Sequence, residues 1–205
     1  MEEYLHNTFF KNFTDKHEHG YAAMYGKVMC CKRHIDSILE FGIAQGSSLV
    51  AFANALPSTK IYGVDSGADV HTLKPECLED PNIKMLHGYR SDNKFDWRPI
   101  KMKLFDRKTQ SDKQHTDMFD IIIDDADHNI GAQLGTFLLW HTSFKEVYVI
   151  EDIMKEEWVD VLNMVVRSYG YVTCVEESTK DEGPNSSYIM AIAKKGSGFG
   201  NTFCN

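Results

Sequence analysis

Positive charge is scarce in this chain: 22 Lys and Arg stand against 30 Asp and Glu in 205 residues, a net charge of −8. That balance argues against a large nucleic-acid footprint. The one locally basic stretch, residues 101–113, also carries Asp106 and Asp112 and reads as a solvated loop. Long hydrophobic runs are missing too. None approaches the roughly 20 residues needed to cross a bilayer, so no membrane span is expected. Met1-Glu2-Glu3-Tyr4 lacks the basic start and apolar stretch of a secretory signal, which leads to the expectation of a cytoplasmic protein. The five cysteines are irregularly spaced, Cys30 and Cys31 are adjacent, and no C-x-x-C occurs. A disulfide framework and a structural zinc site are therefore not expected. Free thiols in a reducing compartment are the simplest reading. With five prolines, no internal repeat and no Pro/Gly/Ser-rich linker, nothing divides the chain. One domain over 1–205 is expected, with residues 1–35 as an N-terminal helical cap and 196–205 as a mobile tail.

What is present is alternation. Short apolar runs at 37–41, 60–64, 83–87, 119–123, 146–150, 171–175 and 188–193 read as strands. Helical patterns fall at 21–33, 45–56, 129–140 and 156–169, the last ending at Gly170 as a C-cap. Residues 91–117 are polar and read as loop with some helix. Strands alternating with helices imply an α/β fold: a mostly parallel sheet covered on both faces, of the Rossmann-like kind. The last two strands have no long helix between them, so they form a hairpin and one strand at that edge runs antiparallel.

Two of these strands stop abruptly at acids. Phe119-Asp120-Ile121-Ile122-Ile123 runs into Asp124-Asp125-Ala126-Asp127-His128, and Val147-Tyr148-Val149-Ile150 runs into Glu151-Asp152. Ligands of open α/β sheets bind just outside the carboxyl ends of the strands. Neighbouring acidic strand ends would bring several carboxylates and one histidine together, a hard-cation site with a base beside it. The alternative is a pair of solvated strand ends. The sequence Glu40-Phe41-Gly42-Ile43-Ala44-Gln45-Gly46 lies at a strand-to-helix turn, where glycine permits close backbone approach to a ligand. Asp65 closes the following strand, where a carboxylate can accept hydrogen bonds from ribose hydroxyls. The dinucleotide fingerprint wants glycine at 42, 44 and 47, but Ala44 and Ser47 stand there, which disfavours NAD. An adenosine-containing ligand of another kind is expected.

The E-x-G-x-A-x-G pattern resembles motif I of class I methyltransferases that use S-adenosyl-L-methionine. That resemblance implies cofactor contacts at Glu40, Gly42, Gly46 and Ser47, the ribose on Asp65, and adenine-edge contacts near Ser91 and Asp92. Thr14-Asp15-Lys16 followed by His19-Gly20-Tyr21 and Tyr25, together with Asp124-Asp125-Ala126-Asp127-His128 and Ile150-Glu151-Asp152, is similar to the metal-dependent macrolide-sugar and glycan O-methyltransferases. The likeness runs from about Thr14 to Asp152. It implies Mg²⁺ or Mn²⁺ on Asp125, Glu151 and Asp152, His128 as catalytic base with Asp125, and Asp124 as a cofactor-side group. Asp127 departs from the pattern, and its charge is expected to raise the pKa of His128 while a metal opposes that effect.

The implied reaction is methyl transfer to a sugar hydroxyl of a glycan or glycoside, such as a terminal deoxyhexose like rhamnose. Alternatives are a catechol-like or natural-product acceptor and, more remotely, a non-catalytic cofactor-binding subunit. An iron oxygenase is disfavoured because no two-histidine, one-carboxylate triad is evident. The acceptor pocket is expected to draw on 1–30, 91–117 and 176–187. A homo-oligomer is compatible with the sequence. His19 is a secondary candidate for a direct role. His6, His17, His71, His87, His115 and His141 read as surface or packing residues, and Trp140 as core.

Overall fold

The structure, a computed structural model, describes residues 2–12, 14–30, 34–67, 72–104, 118–178 and 187–203. Helices α1 (Glu2–Lys11), α2 (Asp15–Glu18) and α3 (Ala22–Cys30) precede strand β1 (Ser37–Phe41). Then come α4 (Ser47–Ala55), β2 (Lys60–Asp65), α5 (Pro75–Glu79), β3 (Ile83–His87) and α6 (Lys94–Leu104). The second half holds β4 (Phe119–Asp124), α7 (Ile130–Trp140), β5 (Phe144–Ile153), α8 (Glu156–Ser168), β6 (Tyr171–Glu177), β7 (Tyr188–Lys194) and α9 (Gly198–Phe203).

The seven strands form one sheet in the order β3-β2-β1-β4-β5-β7-β6. Six run parallel, and β7 is antiparallel to both of its neighbours, β5 and β6. The reversed strand thus lies one place in from the edge, and β6 forms the edge itself. This follows from the chain geometry: β5 connects to β6 through α8, while β6 and β7 form the closing hairpin.

The apolar runs explain the layers. In β4, Ile121 and Ile123 join one core and Ile122 the other, as expected for a strand buried on both faces. The first core takes Met24, Tyr25 and Val28 from α3, Leu49 and Phe52 from α4, and Phe199 from α9. The second takes Ile100 from α6, Phe137 and Trp140 from α7, and Val159, Leu162 and Val166 from α8. Trp140 is fully buried, as expected. On α7 the buried positions include Phe137, whereas Leu138 is exposed.

Residues 94–104 form a regular helix, α6, despite Pro99 within it. Within the glycine-rich tail, residues 198–203 form α9, and Phe199 is buried in the first core. Among the described residues, no helix is long and apolar enough to cross a membrane.

Candidate active site

β1 and β4 are hydrogen-bonded neighbours, as are β4 and β5, so their carboxyl ends lie side by side. The β1 end carries the glycine turn. Gly42, Ala44 and Gly46 all have positive φ, at 80°, 42° and 78°. A Cβ on Gly42 would lie 2.0 Å from the carbonyl oxygen of Asp125 and 2.5 Å from the Cα of Ala126. Glycine is therefore required here by the β4–α7 loop packed against the turn. Gly46 faces Cys77, whose Sγ lies 3.2 Å from the Gly46 carbonyl oxygen. Asp65 braces the turn: its Oδ2 accepts from the amides of Ile43 and Ala44 at 3.0 and 3.3 Å, and its Oδ1 accepts from Gly67 at 2.8 Å.

Two clefts meet at Gly42. One is lined by Asp65, Tyr89, Arg90, Ser91, Asp92 and Asp127. The other lies between the turn and the N-terminal segment and is lined by Thr14, Ala44, Gln45, Ser47, Ser48 and Asp125. An elongated ligand crossing Gly42 would enter both. The structure places Gly42, Ser47, Asp65, Ser91 and Asp92 on these walls. The Ser91 hydroxyl is already bonded to Thr136 at 3.0 Å, so its contribution to the wall is mainly shape.

Glu40 and Asp124 are not on the walls themselves. Glu40 is fully buried, with Oε2 accepting from Ser48 at 2.8 Å and Oε1 3.1 Å from the Lys16 ammonium. Ser48 lines the second cleft, so Glu40 sits directly behind that wall. Asp124 is the last residue of β4 and is also buried. Its partners are the Ala126 amide and, at 3.5 Å, the Tyr148 hydroxyl, and burial pushes its pKa up to about 8. It holds the loop from beneath through the Ala126 amide.

The β5 end depends on a bulge. Pairing with β7 shifts register between Ile150 and Ile153, and Asp152 has a φ of 49°. Ile150 and Ile153, three residues apart, both point into the second core, whereas a regular strand would separate them to opposite faces. The extra residue lets both Glu151 and Asp152 turn toward the N-terminal segment. Gln133 of α7 clamps the bulge, donating from Nε2 to the carbonyls of Glu151 at 3.0 Å and Asp152 at 3.4 Å.

Asp125, His128 and Asp152 come together, each offering one ligand atom within 4.8 Å of the others. His128 Nε2 lies 3.7 Å from Asp125 Oδ1, and Nδ1 lies 3.7 Å from Asp152 Oδ2. Asp125, then Asp152, outweigh partial burial and raise the His128 pKa from 6.5 to about 9. Asp127 is not the cause. Its two oxygens are taken by Arg90 at 3.3 Å and Asn129 at 2.8 Å, so its charge is spent away from the imidazole. Burial alone would raise the Asp152 pKa, but hydrogen bonds from His19 and Tyr21, aided by His128, hold it down at about 2.

Glu151, expected with Asp125 and Asp152, stands apart from that trio. Its Oε1 is held by the Lys16 ammonium at 2.7 Å and by the Tyr25 hydroxyl. Lys16 is fully buried and also binds Asp125 Oδ2 at 2.8 Å. Burial opposes its charge, but Asp125, Glu151 and Glu40 outweigh that and keep it protonated. Lys16, Tyr21 and Tyr25 had stood out only as parts of a pattern, with no role attached. A lysine between aromatic residues in an otherwise helix-forming segment gives no local sign that it will be buried. Arg90, which joins Asp92 and Asp127 across the mouth of the first cleft, was also missed. His141 packs against Tyr169 and Tyr171, as expected for a packing residue. His71, His115 and the segments 105–117 and 179–186 lie outside the described residues.

No protein-family model matches the chain, and no curated protein matches it. Solved structures do. The MycE methyltransferase of mycinamycin biosynthesis, in complex with Mg and SAH, superposes with a TM-score of 0.62 at 18% identity, covering 95% of this chain and 55% of that one. The fold is that of the class I methyltransferases. The chain spans about half the length of MycE. An O-methyltransferase from a polyketide multienzyme of Brevibacillus brevis, in complex with S-adenosyl-L-homocysteine, gives a TM-score of 0.53 at 12% identity over 83% of this chain and 71% of that one. A precorrin-6y C5,15-methyltransferase from Geobacter metallireducens gives 0.55 at 13% identity, covering 83% and 86%. The methyltransferase fold places its glycine turn beside the trio formed by Asp125, His128 and Asp152.

Proposed function

We propose that the chain transfers a methyl group from S-adenosyl-L-methionine to a sugar hydroxyl of a glycan or glycoside, with Mg²⁺ or Mn²⁺ at the acidic strand ends. The observation that carries this reading is the meeting of Asp125, His128 and Asp152 within 4.8 Å, next to the glycine turn. Supporting it, a MycE complex holds Mg, SAH and mycinamycin VI, and its fold matches with a TM-score of 0.61 at 17% identity.

The donor set suits a hard divalent cation, since Asp125 Oδ1 and Asp152 Oδ2 converge from two strands. When bound, such a cation lowers the pKa of an attached hydroxyl. The two clefts at Gly42 would take the cofactor, with Asp65 and Asp92 on the adenosine side and Ser47 on the methionine side. The methyl carbon leaves sulfur, which keeps the electron pair of the broken bond, and forms a bond to the acceptor oxygen. The hydroxyl proton passes to a ring nitrogen of His128. In the cation-free protein Asp125 and Asp152 stabilise the imidazolium. Carboxylates engaged by a cation stabilise it less, which leaves the imidazole able to accept a proton at neutral pH. Proton removal by a positioned base is typically worth about 10²–10⁴ in rate, and holding both reactants in line up to about 7–11 kcal/mol.

The test is transfer from labelled S-adenosyl-L-methionine to a panel of glycosides bearing terminal deoxyhexoses, beside simple catechols. Transfer to a glycoside that EDTA abolishes and Mg²⁺ or Mn²⁺ restores supports the reading. Transfer confined to catechols moves the acceptor to a phenol. Cofactor binding with transfer indifferent to EDTA would overturn the role of the cation.

A further inference from the structure

Three carboxylates at the strand ends share one arrangement: each has an oxygen tied by a donor from residues 16–25. Asp125 Oδ2 accepts from Lys16 at 2.8 Å. Asp152 Oδ1 accepts from the Tyr21 hydroxyl at 2.6 Å. Glu151 Oε1 accepts from Lys16 and from the Tyr25 hydroxyl. The other oxygens of Asp125 and Asp152 are the ones that point to His128. The three donors are anchored. Tyr21, Tyr25 and Lys16 are each no more than 2% exposed, and Tyr25 packs edge-on against Phe9 and Phe52. Tyr21 also meets Ser187 at 3.1 Å, at the start of the β7 side of the sheet. The donors come from one short stretch, yet their acceptors lie on two different strands.

A carboxylate with one oxygen committed to a fixed donor cannot rotate freely, and it presents its other oxygen outward. We infer that Tyr21 is a positioning residue for the cation, acting with Lys16 through Asp152 and Asp125, and that the N-terminal segment is thereby a working part of the site. The inference rests on the cation reading above. Lys16 has a second effect, since its buried charge offsets one of the carboxylate charges and keeps the acids from repelling one another apart. Outer partners of metal ligands typically change metal affinity by about 10–100-fold when removed.

Tyr21→Phe removes one oxygen and keeps the ring. The experiment is calorimetric titration of Mn²⁺ into the full chain, wild type and Tyr21→Phe, with S-adenosyl-L-homocysteine affinity measured on the same preparations. The expected result is a loss of about 10–100-fold in Mn²⁺ affinity, with S-adenosyl-L-homocysteine affinity unchanged. Equal Mn²⁺ affinity in the two proteins would overturn the inference and leave the cation reading standing. Parallel loss of both ligands would also overturn it, since that marks a general disturbance of the fold. Failure of the wild type to take up Mn²⁺ while binding S-adenosyl-L-homocysteine would overturn the cation reading and the inference with it.

Discussion

Strand β4 carries buried acids at both ends, and the two ends are treated differently. At the start, Asp120 Oδ2 accepts from the amides of Asp36 and Ser37 at 2.6 and 3.1 Å, and Oδ1 lies 3.4 Å from the Lys145 ammonium. Both oxygens are occupied, and the group fastens β1 to β4. At the far end, Asp125 has one oxygen tied to Lys16 and the other presented toward His128. Asp124 beneath it has few donors and a pKa raised to about 8. A carboxylate that holds a fold together is saturated by fixed donors. One that is to meet a ligand keeps a lone pair in reserve, and the protein tolerates the poorer local satisfaction.

The contrast is broken most forcefully by removing the two acids one at a time. Asp125→Ala is expected to remove Mn²⁺ binding and to lower methyl transfer by about 10²-fold or more, since it takes away both a proposed cation ligand and the partner of His128. Cofactor turnover and Mn²⁺ calorimetry check it. Asp120→Ala is expected to destabilise the fold by about 1–3 kcal/mol, because two part-buried amides and the Lys145 ammonium lose their buried acceptor, while Mn²⁺ affinity stays as in wild type. Urea midpoints on both variants show whether the division between fold and site is as clean as the geometry suggests.

Asp124 sharpens the comparison through pH. Its folded pKa of about 8 lies above the ordinary 3.8, so the folded state keeps a proton that the unfolded chain releases. This group's contribution to stability therefore falls as pH rises from about 3.8 to about 8, and is flat on either side. Asp124→Asn is expected to remove that slope, read as urea midpoints compared across the same window in wild type and variant. The smallest effect belongs to Arg90, which is exposed and pairs with Asp92 and Asp127 in solvent. Arg90→Ala is expected to weaken S-adenosyl-L-homocysteine binding by less than about fivefold, since exposed ion pairs contribute little. A larger loss would show that Arg90 touches the ligand itself.

Much of the fold was legible because the signals are local. Apolar runs marked all seven strands, and Phe119 to Ile123 marked the doubly buried one. Helix α6 was harder to read, since Pro99 and its alternating charges hide the two positions, Ile100 and Leu104, that dock it. Of the site, Asp125, His128 and Asp152 were legible as acids and a histidine closing apolar strands. The burial of Glu40 and Asp124 was not legible, because which side of a strand faces a cleft depends on the layers packed against it.

The sequence by itself determined the alternation of strands and helices, the glycine turn, and the two acidic strand ends, since each is written within a few consecutive residues. Only the tertiary structure decided how those ends are used. The bulge at Glu151 and Asp152, and the pairing of Lys16 with acids 109 and 135 residues away, arise from strand order and from the N-terminal segment folding over the sheet. Hydrophobic periodicity reports which face of an element is buried. It carries no information about which distant carboxylate a buried lysine will meet, and that meeting gives the acids their orientation.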